Sequence, residues 1–315
     1  MPEGRARRVL LVGEESAGVQ VLRRLLASPH EIVGVLAKRP GAGVRGASVR
    51  EVAEAAGIPV LPPERVKEPA FAREVSALAV DLILNVHSLY LIRPEILEAA
   101  RIGAFNLHPG PLPRYAGLNA PSWAVLNGER QHGVTVHWMD RGIDTGDIAY
   151  QTIFPIEPRA TGLSVAARCI REGVALLERL LDDARAEPPR IPRRPQDRSS
   201  RSYYGRGVPH GGRIRWEWPA ERLDAFIRAA DYYPLPSPWG HPRARLAGEP
   251  LGVVRAEPAD GPEGAAPGTV LAEGGAWRVA CGDGWLALRL VHWRGRYGPP
   301  EKLLPPAERL EDGGG

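Results

Sequence analysis

The residues with the clearest chemical potential lie within the stretch 103–151, where Asn106 and His108 end a short apolar run. They are two residues apart, so both side chains leave the same face of an extended segment. Asp144 follows in a glycine-bracketed loop after the alternating run 134–138. If the two runs are neighbouring strands of one sheet, the three polar side chains meet at one edge. The sequence therefore predicts a single polar pocket.

An amide, an imidazole and a carboxylate suit an acyl transfer that forms no covalent enzyme intermediate. Asn106 and a protonated His108 would stabilise an oxyanion. Asp144 would keep the imidazole charged or accept a proton from an attacking amine, directly or through water. Gly110 stands where a nucleophilic side chain would be sought. The alternative is a structural Asn–His pair that closes a loop.

Several blocks around these residues closely resemble the 10-formyltetrahydrofolate-dependent formyltransferases. The blocks are Asn106-x-His108-Pro-x-x-Leu112-Pro113, Gly117, Asn127-Gly128-Glu129, Gly133-Val134-Thr135 and Asp144-Thr-Gly-Asp-Ile148. This group includes the transferases that formylate glycinamide ribonucleotide, methionyl-tRNA and amino sugars. The resemblance covers about residues 8–185 and is weaker beyond. It implies that Asn106, His108 and Asp144 are the catalytic residues.

The resemblance also implies 10-formyltetrahydrofolate as the co-substrate, without a metal. The parts that would hold its pterin, largely through backbone groups, are Ser88, Leu89, Tyr90, Leu91, Ile92, Asp140, Gly142 and Ile143. The acceptor would be bound by Arg114, Tyr115, Gly117, Asn119, Tyr233 and Trp239. Two departures from the family pattern leave the acceptor open. Many relatives have Ser in place of Gly110, and Leu118-Asn119 replaces an Ala-rich or Arg-rich run.

The first part of the chain has the pattern of a Rossmann-like α/β domain with a mostly parallel sheet. An apolar run at 9–12, a helical stretch at 17–26 and a second apolar run at 32–36 predict a strand, a crossover helix and a strand. The run 82–86 is typical of a strand that is buried on both faces. The turn 13–18 lacks the glycine spacing of NAD and ATP sites, and its two acids oppose phosphate binding.

The domain boundaries follow from composition. A helical pattern over 160–183 ends before a Pro/Arg run, so we predict a catalytic domain at 1–187 and an extended linker at 188–212. Short apolar runs between glycine turns predict a β-rich domain at 213–311, barrel-like and similar to an oligonucleotide-binding fold. Three of its tryptophans could stack nucleic-acid bases, but we assign them to the core. The tail 312–315 is expected to be disordered.

Composition narrows the class of protein. With 315 residues and 43% hydrophobic side chains, the chain can bury a sizeable core. No stretch is apolar enough for a membrane span and the N-terminus lacks a signal-peptide core, so we expect a soluble cytoplasmic protein. The two cysteines, Cys169 and Cys281, are predicted to be buried free thiols. The eight histidines show no zinc-binding spacing, and His137 is assigned to the core or to a supporting position.

The acceptor is predicted to be a small amine, such as an amino sugar, an amino acid or a specialised-metabolite amine. The basic connection 38–46 is shorter than the insertion that contacts tRNA in methionyl-tRNA formyltransferases, and the net charge of +4 does not demand nucleic acid. Methionyl-tRNA is the second candidate. A formimidoyl group could replace formyl as the transferred unit, and a non-catalytic folate-binding protein is the alternative from another class.

Overall fold

The computed structural model describes residues 4–39, 46–273 and 275–314. Most of the basic connection predicted at 38–46 therefore lies outside the described residues. The chain forms two compact units. The first contains the described residues up to Gly117 together with Gly133–Phe154 and Arg168–Tyr203, and the second contains Leu118–His132, Pro155–Ala167 and the chain from Tyr204 onward.

The first unit is built on a mostly parallel sheet, as the sequence predicts. Its strands are β1 (Arg8–Gly13), β2 (Glu31–Leu36), β3 (Val60–Leu61), β4 (Leu82–Val86), β5 (Gly103–His108), β7 (Gln131–Trp138) and β8 (Ile148–Pro155). Among the described residues, they lie in the order β3-β2-β1-β4-β5-β7-β8. The pairs from β3 to β5 are parallel, whereas β5 and β7 are antiparallel. A separate short pair consists of β6 (Ala116–Gly117) and β9 (Tyr203–Tyr204).

Helices connect these strands and cover the sheet. They are α1 (Glu15–Leu26), α2 (Val49–Ala55), α3 (Phe71–Ala77), α4 (Pro94–Glu98) and α6 (Gly162–Ala184). Helix α2 begins with a capping box, because the Ser48 side chain accepts from the Glu51 N–H while the Glu51 carboxylate accepts from the Ser48 N–H. Helix α6 begins after Thr161, whose hydroxyl accepts from the Ser164 N–H at 3.2 Å.

Strand β4 lies inside the sheet, next to β1 and β5. Its sequence is Leu-Ile-Leu-Asn-Val and every residue is buried. Four apolar side chains explain why the strand is stable between two layers. Asn85 is its single polar side chain, and it is paired in register with Asn106 of β5.

The second unit is a β-rich module with three helices in the described residues. Its strands are β10 (Arg243–Leu246), β11 (Glu249–Ala259), β12 (Val270–Glu273), β13 (Ala276–Ala280), β14 (Trp285–Trp293) and β15 (Arg296–Gly298). Its helices are α5 (Ala120–Leu126), α7 (Ala220–Ala230) and α8 (Pro300–Leu303). The sheet is antiparallel, and Trp277 and Trp285 are buried. The core assignment of these two tryptophans is therefore correct.

The predicted linker and tail are both held more closely than expected. Arg194 pairs with Ile148, and the Trp138 indole donates to the Pro192 carbonyl at 2.8 Å. In the tail, the Asp312 carboxylate accepts from the Trp216 N–H at 2.9 Å. The next residue of the tail, Gly313, donates to the Ile214 carbonyl at 2.9 Å. Backbone groups of the linker and tail therefore have hydrogen-bond partners that the composition of these segments does not reveal.

Candidate active site

Strand β5 presents Asn106 and His108 on one face, as their spacing predicts. The neighbouring strand β7 adds a third polar group, because His137 lies opposite Asn106 in the antiparallel register. The amide Nδ2 of Asn106 is 3.1 Å from Nε2 of His137. Facing residues on adjacent strands bring their side chains into contact. His137 therefore belongs to the polar cluster rather than to the apolar core.

The Asp144 loop reaches this cluster by a route that the sequence did not indicate. Because β5 and β7 are antiparallel, Trp138 at the end of β7 pairs with Phe105 near the start of β5. The chain therefore has to turn back to bring Asp144 to His108, and Asp144 itself has a positive φ of 53°. Aspartate tolerates this left-handed conformation better than most residues. The loop, rather than a shared sheet edge, brings the acid to the other two groups.

The Asp144 loop is held by side chains from the predicted linker. Gln196 Nε2 donates to the carbonyls of Asp144 at 3.0 Å and Gly146 at 2.6 Å. Arg201 donates to the Ile143 carbonyl at 2.9 Å. Within the loop, the Asp140 carboxylate accepts from the Gly142 N–H and the Thr145 hydroxyl. These contacts fix the backbone that carries the acid.

The Asp144 carboxylate joins the members of the cluster. Its Oδ2 accepts from the Gly117 N–H at 2.8 Å and lies 3.3 Å from His108 Nδ1. Its Oδ1 accepts from Asn106 Nδ2 at 3.3 Å and lies 3.4 Å from His137 Nε2. The structure thus brings together the amide, the imidazole and the acid that the sequence singled out.

Asp144 stays ionised although its side chain is 9% exposed. Burial by itself raises the pKa of the carboxyl, but the His108 and His137 rings and the Gly117 N–H outweigh it and hold that pKa well below its usual value. The pKa of His108 is lowered by complete burial, against the opposing effects of Asp144 and the Tyr115 carbonyl. At neutral pH the pair therefore has capacity for one more proton.

The position of that proton follows from the hydrogen bonds of the His108 ring. Nε2 lies 2.7 Å from the Tyr115 carbonyl, which can only accept, so Nε2 carries a hydrogen. A further proton must then bind at Nδ1, between the ring and Asp144. In this arrangement both ring nitrogens of His108 are already engaged, so neither is free to donate to an oxyanion as the sequence analysis expected. A protonated ring can still act on nearby negative charge through its own positive charge.

Gly110 lies against the His108 ring. A Cβ at this position would be 2.6 Å from His108 Nε2 and 2.9 Å from the Tyr115 carbonyl oxygen. These two atoms are joined by a hydrogen bond, so a serine at position 110 would force the His108 ring or the Tyr115 backbone to move. Glycine at 110 therefore permits the close contact between His108 and Tyr115.

The segment 88–92 and the Asp144 loop, which the resemblance predicts to hold the pterin, expose several large apolar side chains. Leu89 is 70% exposed, Leu91 67% and Ile143 42%, which is unusual for large apolar side chains. Ser88 and Ile92 are buried and anchor the ends of the segment. The residues predicted to hold a folate therefore combine exposed apolar groups with backbone outside helices and strands. When bound, the folate supplies the formyl carbon.

Tyr90 belongs to the same segment and is held by charged neighbours. Its hydroxyl donates to Glu64 at 2.6 Å, and this hydrogen bond raises the pKa of Tyr90 to about 12. The ammonium groups of Lys38 and Lys67 lie 5.2 and 5.1 Å from the ring centre. These contacts fix the ring beside the exposed leucines.

The residues predicted to bind the acceptor fall into both units. In the first unit, Tyr115 and Gly117 contact His108 and Asp144 through their backbones, and Arg114 is exposed with its guanidinium 5.4 Å from the Tyr115 ring. The Tyr115 side chain is 2% exposed and therefore does not present its hydroxyl to solvent. These positions stabilise the cluster, which the sequence did not predict.

The other three predicted acceptor residues lie in the second unit. Asn119 precedes helix α5 with a positive φ of 58°. Trp239 packs edge-on against Trp123 at 5.0 Å, and Tyr233 lies 5.1 Å from the Tyr297 ring. Trp239 also borders a cavity of about 390 Å³, whose other lining residues are Gly240, His241, Arg243, Glu249, Pro250, Gly252, His292 and Arg294. None of the trio lines this cavity.

Asn85 was missed by the sequence analysis, which left His137 undecided between the core and a supporting position. Asn85 donates to the Asn106 side-chain oxygen at 2.8 Å, and His137 contacts both Asn106 and Asp144. The signal for Asn85 was available, because a lone amide in an uninterrupted apolar strand requires a buried partner. The signal for His137 was the register, which a single sequence does not reveal.

The described part of the chain contains no cluster of three metal-binding side chains and no helix that combines the length and apolarity of a membrane span. Cys169 and Cys281 are buried and free, as predicted, and burial raises the pKa of both thiols.

Two family descriptions match the chain. One is "Formyl transferase", over residues 7–181, and the other is "Formyl transferase, C-terminal domain", over residues 208–297. Among curated relatives, the methionyl-tRNA formyltransferase of Symbiobacterium thermophilum is 34% identical, over 98% of this chain and 93% of the relative. That of a Synechococcus strain is 33% identical, over 92% of each chain.

Solved structures share the fold. An N-formyltransferase from Helicobacter canadensis, crystallised with folinic acid and dTDP-3-aminofucose, has a TM-score of 0.66 at 20% identity, covering 90% of this chain and 98% of its own. HypX from Aquifex aeolicus in complex with tetrahydrofolic acid has a TM-score of 0.63 at 19% identity, covering 95% of this chain and 47% of its own. With both domain families matched along its length, this chain belongs to the formyltransferases, enzymes that transfer a formyl group from 10-formyltetrahydrofolate.

Proposed function

We propose that this enzyme transfers the formyl group of 10-formyltetrahydrofolate to the primary amine of a small molecule, using Asn106, His108 and Asp144. One observation carries the proposal. The buried, ionised Asp144 touches both an imidazole that can take a proton and an amide that can donate hydrogen bonds. A structural pair closing a loop does not need an ionised acid at its centre.

Each group has a task in this reaction. The amine arrives neutral and loses a proton as it attacks the formyl carbon, and the His108–Asp144 pair has capacity for that proton. When the tetrahedral intermediate collapses, the bond between the formyl carbon and the folate nitrogen breaks and the proton passes from the pair to that nitrogen, which leaves tetrahydrofolate and the N-formyl product. Asn106 is the partly exposed member of the trio, so its amide can donate to the formyl oxygen as negative charge develops there. A protonated His108 adds positive charge close by, and Asp144 keeps that charge in place.

The fold shared with the Helicobacter canadensis N-formyltransferase, which was crystallised with dTDP-3-aminofucose, supports a small amine as acceptor. Methionyl-tRNA remains the second candidate, because both curated relatives described above carry that name. Formimidoyl transfer uses the same proton acceptor and is the alternative for the one-carbon unit.

The experiment is a competition between acceptors. The enzyme is incubated with 10-formyltetrahydrofolate and a set of small amines, or with methionyl-tRNA, and products are identified by mass spectrometry. We expect one class of small amine to gain the mass of a formyl group in place of hydrogen. Formylation of methionyl-tRNA with a steep loss of rate in salt would instead establish the second candidate. Folate binding without any product would establish a non-catalytic protein.

A further inference from the structure

We infer that Asn85 is a positioning residue that sets the orientation of the Asn106 amide, an inference that rests on the proposed function. The Asn85 Nδ2 donates to the Asn106 Oδ1 at 2.8 Å. The two residues face each other on the parallel strands β4 and β5. Asn106 can act on a developing oxyanion only through its NH₂ group, so the direction in which its amide points decides whether it can act at all.

The other neighbours of Asn106 define which orientation is productive. Its Nδ2 faces Oδ1 of Asp144 at 3.3 Å and Nε2 of His137 at 3.1 Å. The ionised Asp144 carboxylate can only accept, so it favours the orientation in which Asn106 turns its NH₂ group, and not its oxygen, towards Asp144. A flipped Asn106 would instead point its oxygen at a carboxylate, and Asn85 would lose its acceptor.

The side-chain amide of Asn85 is itself held in one orientation. Its NH₂ lies between two acceptors, the Asn106 oxygen and, more distantly at 3.5 Å, the Ser88 carbonyl. If the Asn85 amide turned over, its oxygen would face the oxygens of Asn106 and Ser88. The orientation of the Asn85 amide is therefore fixed, and it determines the orientation of the Asn106 amide. The chain of contacts runs from the backbone at Ser88 through Asn85 to the catalytic amide.

The position of Asn85 is costly for stability, which separates this role from a structural one. The side chain is 6% exposed in a strand that is otherwise apolar, and its Oδ1 has no hydrogen-bond partner within the described residues. Burying an unpartnered acceptor opposes folding. A leucine of similar size would therefore be tolerated or would stabilise the strand. The amide is explained by what it does to Asn106 rather than by packing.

The test compares Asn85→Leu and Asn85→Asp with the wild type, each in the presence and absence of Asn106→Ala. We expect Asn85→Leu to lower kcat by about 10- to 100-fold, less than the loss of an oxyanion donor itself. The KM values should stay within about threefold, and the melting temperature should not fall. Asn85→Asp removes the same donor in an isosteric side chain and should also lower kcat. In the Asn106→Ala background, neither substitution should change kcat by more than about threefold.

Equal losses in the two backgrounds, or a kcat unchanged by both substitutions, would overturn the inference. Leu84→Val is the control, because Leu84 lies on the opposite face of β4 and its shortening perturbs packing without touching Asn106. It should lower stability and leave kcat unchanged. A parallel loss of kcat in this variant would mean that any disturbance of β4 is sufficient, and would also overturn the inference.

A readout without turnover separates this inference from the proposed function. The side-chain amide signals of Asn106 in a ¹H–¹⁵N spectrum can be assigned by their loss in Asn106→Ala. They should shift in Asn85→Leu and Asn85→Asp, and signals that stay in place would contradict the contact. A wild-type enzyme that forms no N-formyl product would contradict the proposed function, while this spectrum still decides the role of Asn85.

Discussion

At the scale of single residues, the site depends on one carboxylate that is buried and still charged. Asp144 is surrounded by groups that favour its anion, namely two imidazoles, an amide and a backbone N–H. Opposite charges and hydrogen bonds lower the pKa of an acid more than partial burial raises it here. An acid that is ionised before the amine binds can stabilise the proton as soon as it is released.

We expect His108→Ala and Asp144→Asn each to lower kcat by at least about a thousandfold, because each removes one half of the proton acceptor. Both should leave the melting temperature within a few degrees and folate binding nearly unchanged. Steady-state kinetics and folate titration by fluorescence measure the two effects.

The matched control is Asp147→Asn, in the same loop. The Asp147 carboxylate is paired with the Arg193 guanidinium at 3.3 Å rather than with a member of the trio, so activity should be preserved. If Asp144→Asn retained near-normal activity while Asp147→Asn lost it, the acid would have been assigned to the wrong residue.

At the scale of elements, helix α6 packs closely against the strands that carry the trio. A Cβ on Gly173 would lie 2.7 Å from Leu107 Cδ1 and 3.1 Å from Val134 Cγ2. Leu107 stands between Asn106 and His108, so the helix fixes the strand at that point. Glycine in a helix interior is about 1 kcal/mol less favourable than alanine, so this glycine is explained by the close approach it permits.

Gly173→Ala should therefore destabilise the protein by about 1–3 kcal/mol, because the added methyl group overpacks the contact between helix and strand. Gly207→Ala is the control, since a Cβ at 207 would meet nothing within 4 Å. Denaturant unfolding of the two variants gives the comparison. A Gly173→Ala protein as stable as the control would mean that Leu107 and Val134 can move aside freely.

At the scale of the whole molecule, each compact unit is assembled from segments that are not consecutive in the sequence. The predicted boundaries place residues 1–187 in one domain, but Leu118–His132 and Pro155–Ala167 belong to the second unit. Helix α5 explains the difference, because Trp123 packs on Trp239 and Ser122 hydrogen-bonds with Tyr232 at 3.0 Å. A helix belongs to the unit whose side chains cover its apolar face. For helix α5 those side chains, Tyr232 and Trp239, lie far along the chain.

A fragment that ends at Gly205 should therefore fold poorly. It retains helix α5 but lacks Tyr232 and Trp239, so it exposes side chains that the full chain buries. We expect a lower melting temperature, a broader transition and stronger binding of a hydrophobic dye than in the full-length protein. A fragment that unfolds cooperatively at the full-length melting temperature would show that the second unit does not stabilise α5.

The sequence by itself determined which polar residues are candidates for the chemistry, and it predicted most of the strands and helices. Asn106 and His108 share a face because the side chains of any strand alternate, and helix α6 lies close to the predicted range because its apolar spacing is regular. The mostly parallel sheet also followed from local patterns, and the formyltransferase family followed from the resemblance of several motif blocks to that family. Such features depend on neighbours in the chain, which a sequence shows directly.

The tertiary structure alone decided how the groups meet. The antiparallel register of β5 and β7 brought His137 to Asn106, the turned-back loop brought Asp144 to His108, and Gln196 from the predicted linker holds that loop. Asn85 gained its role only because β4 lies beside β5. Each of these contacts joins residues that are distant in sequence, and their pairing is set by the free energy of the whole fold rather than by any local pattern.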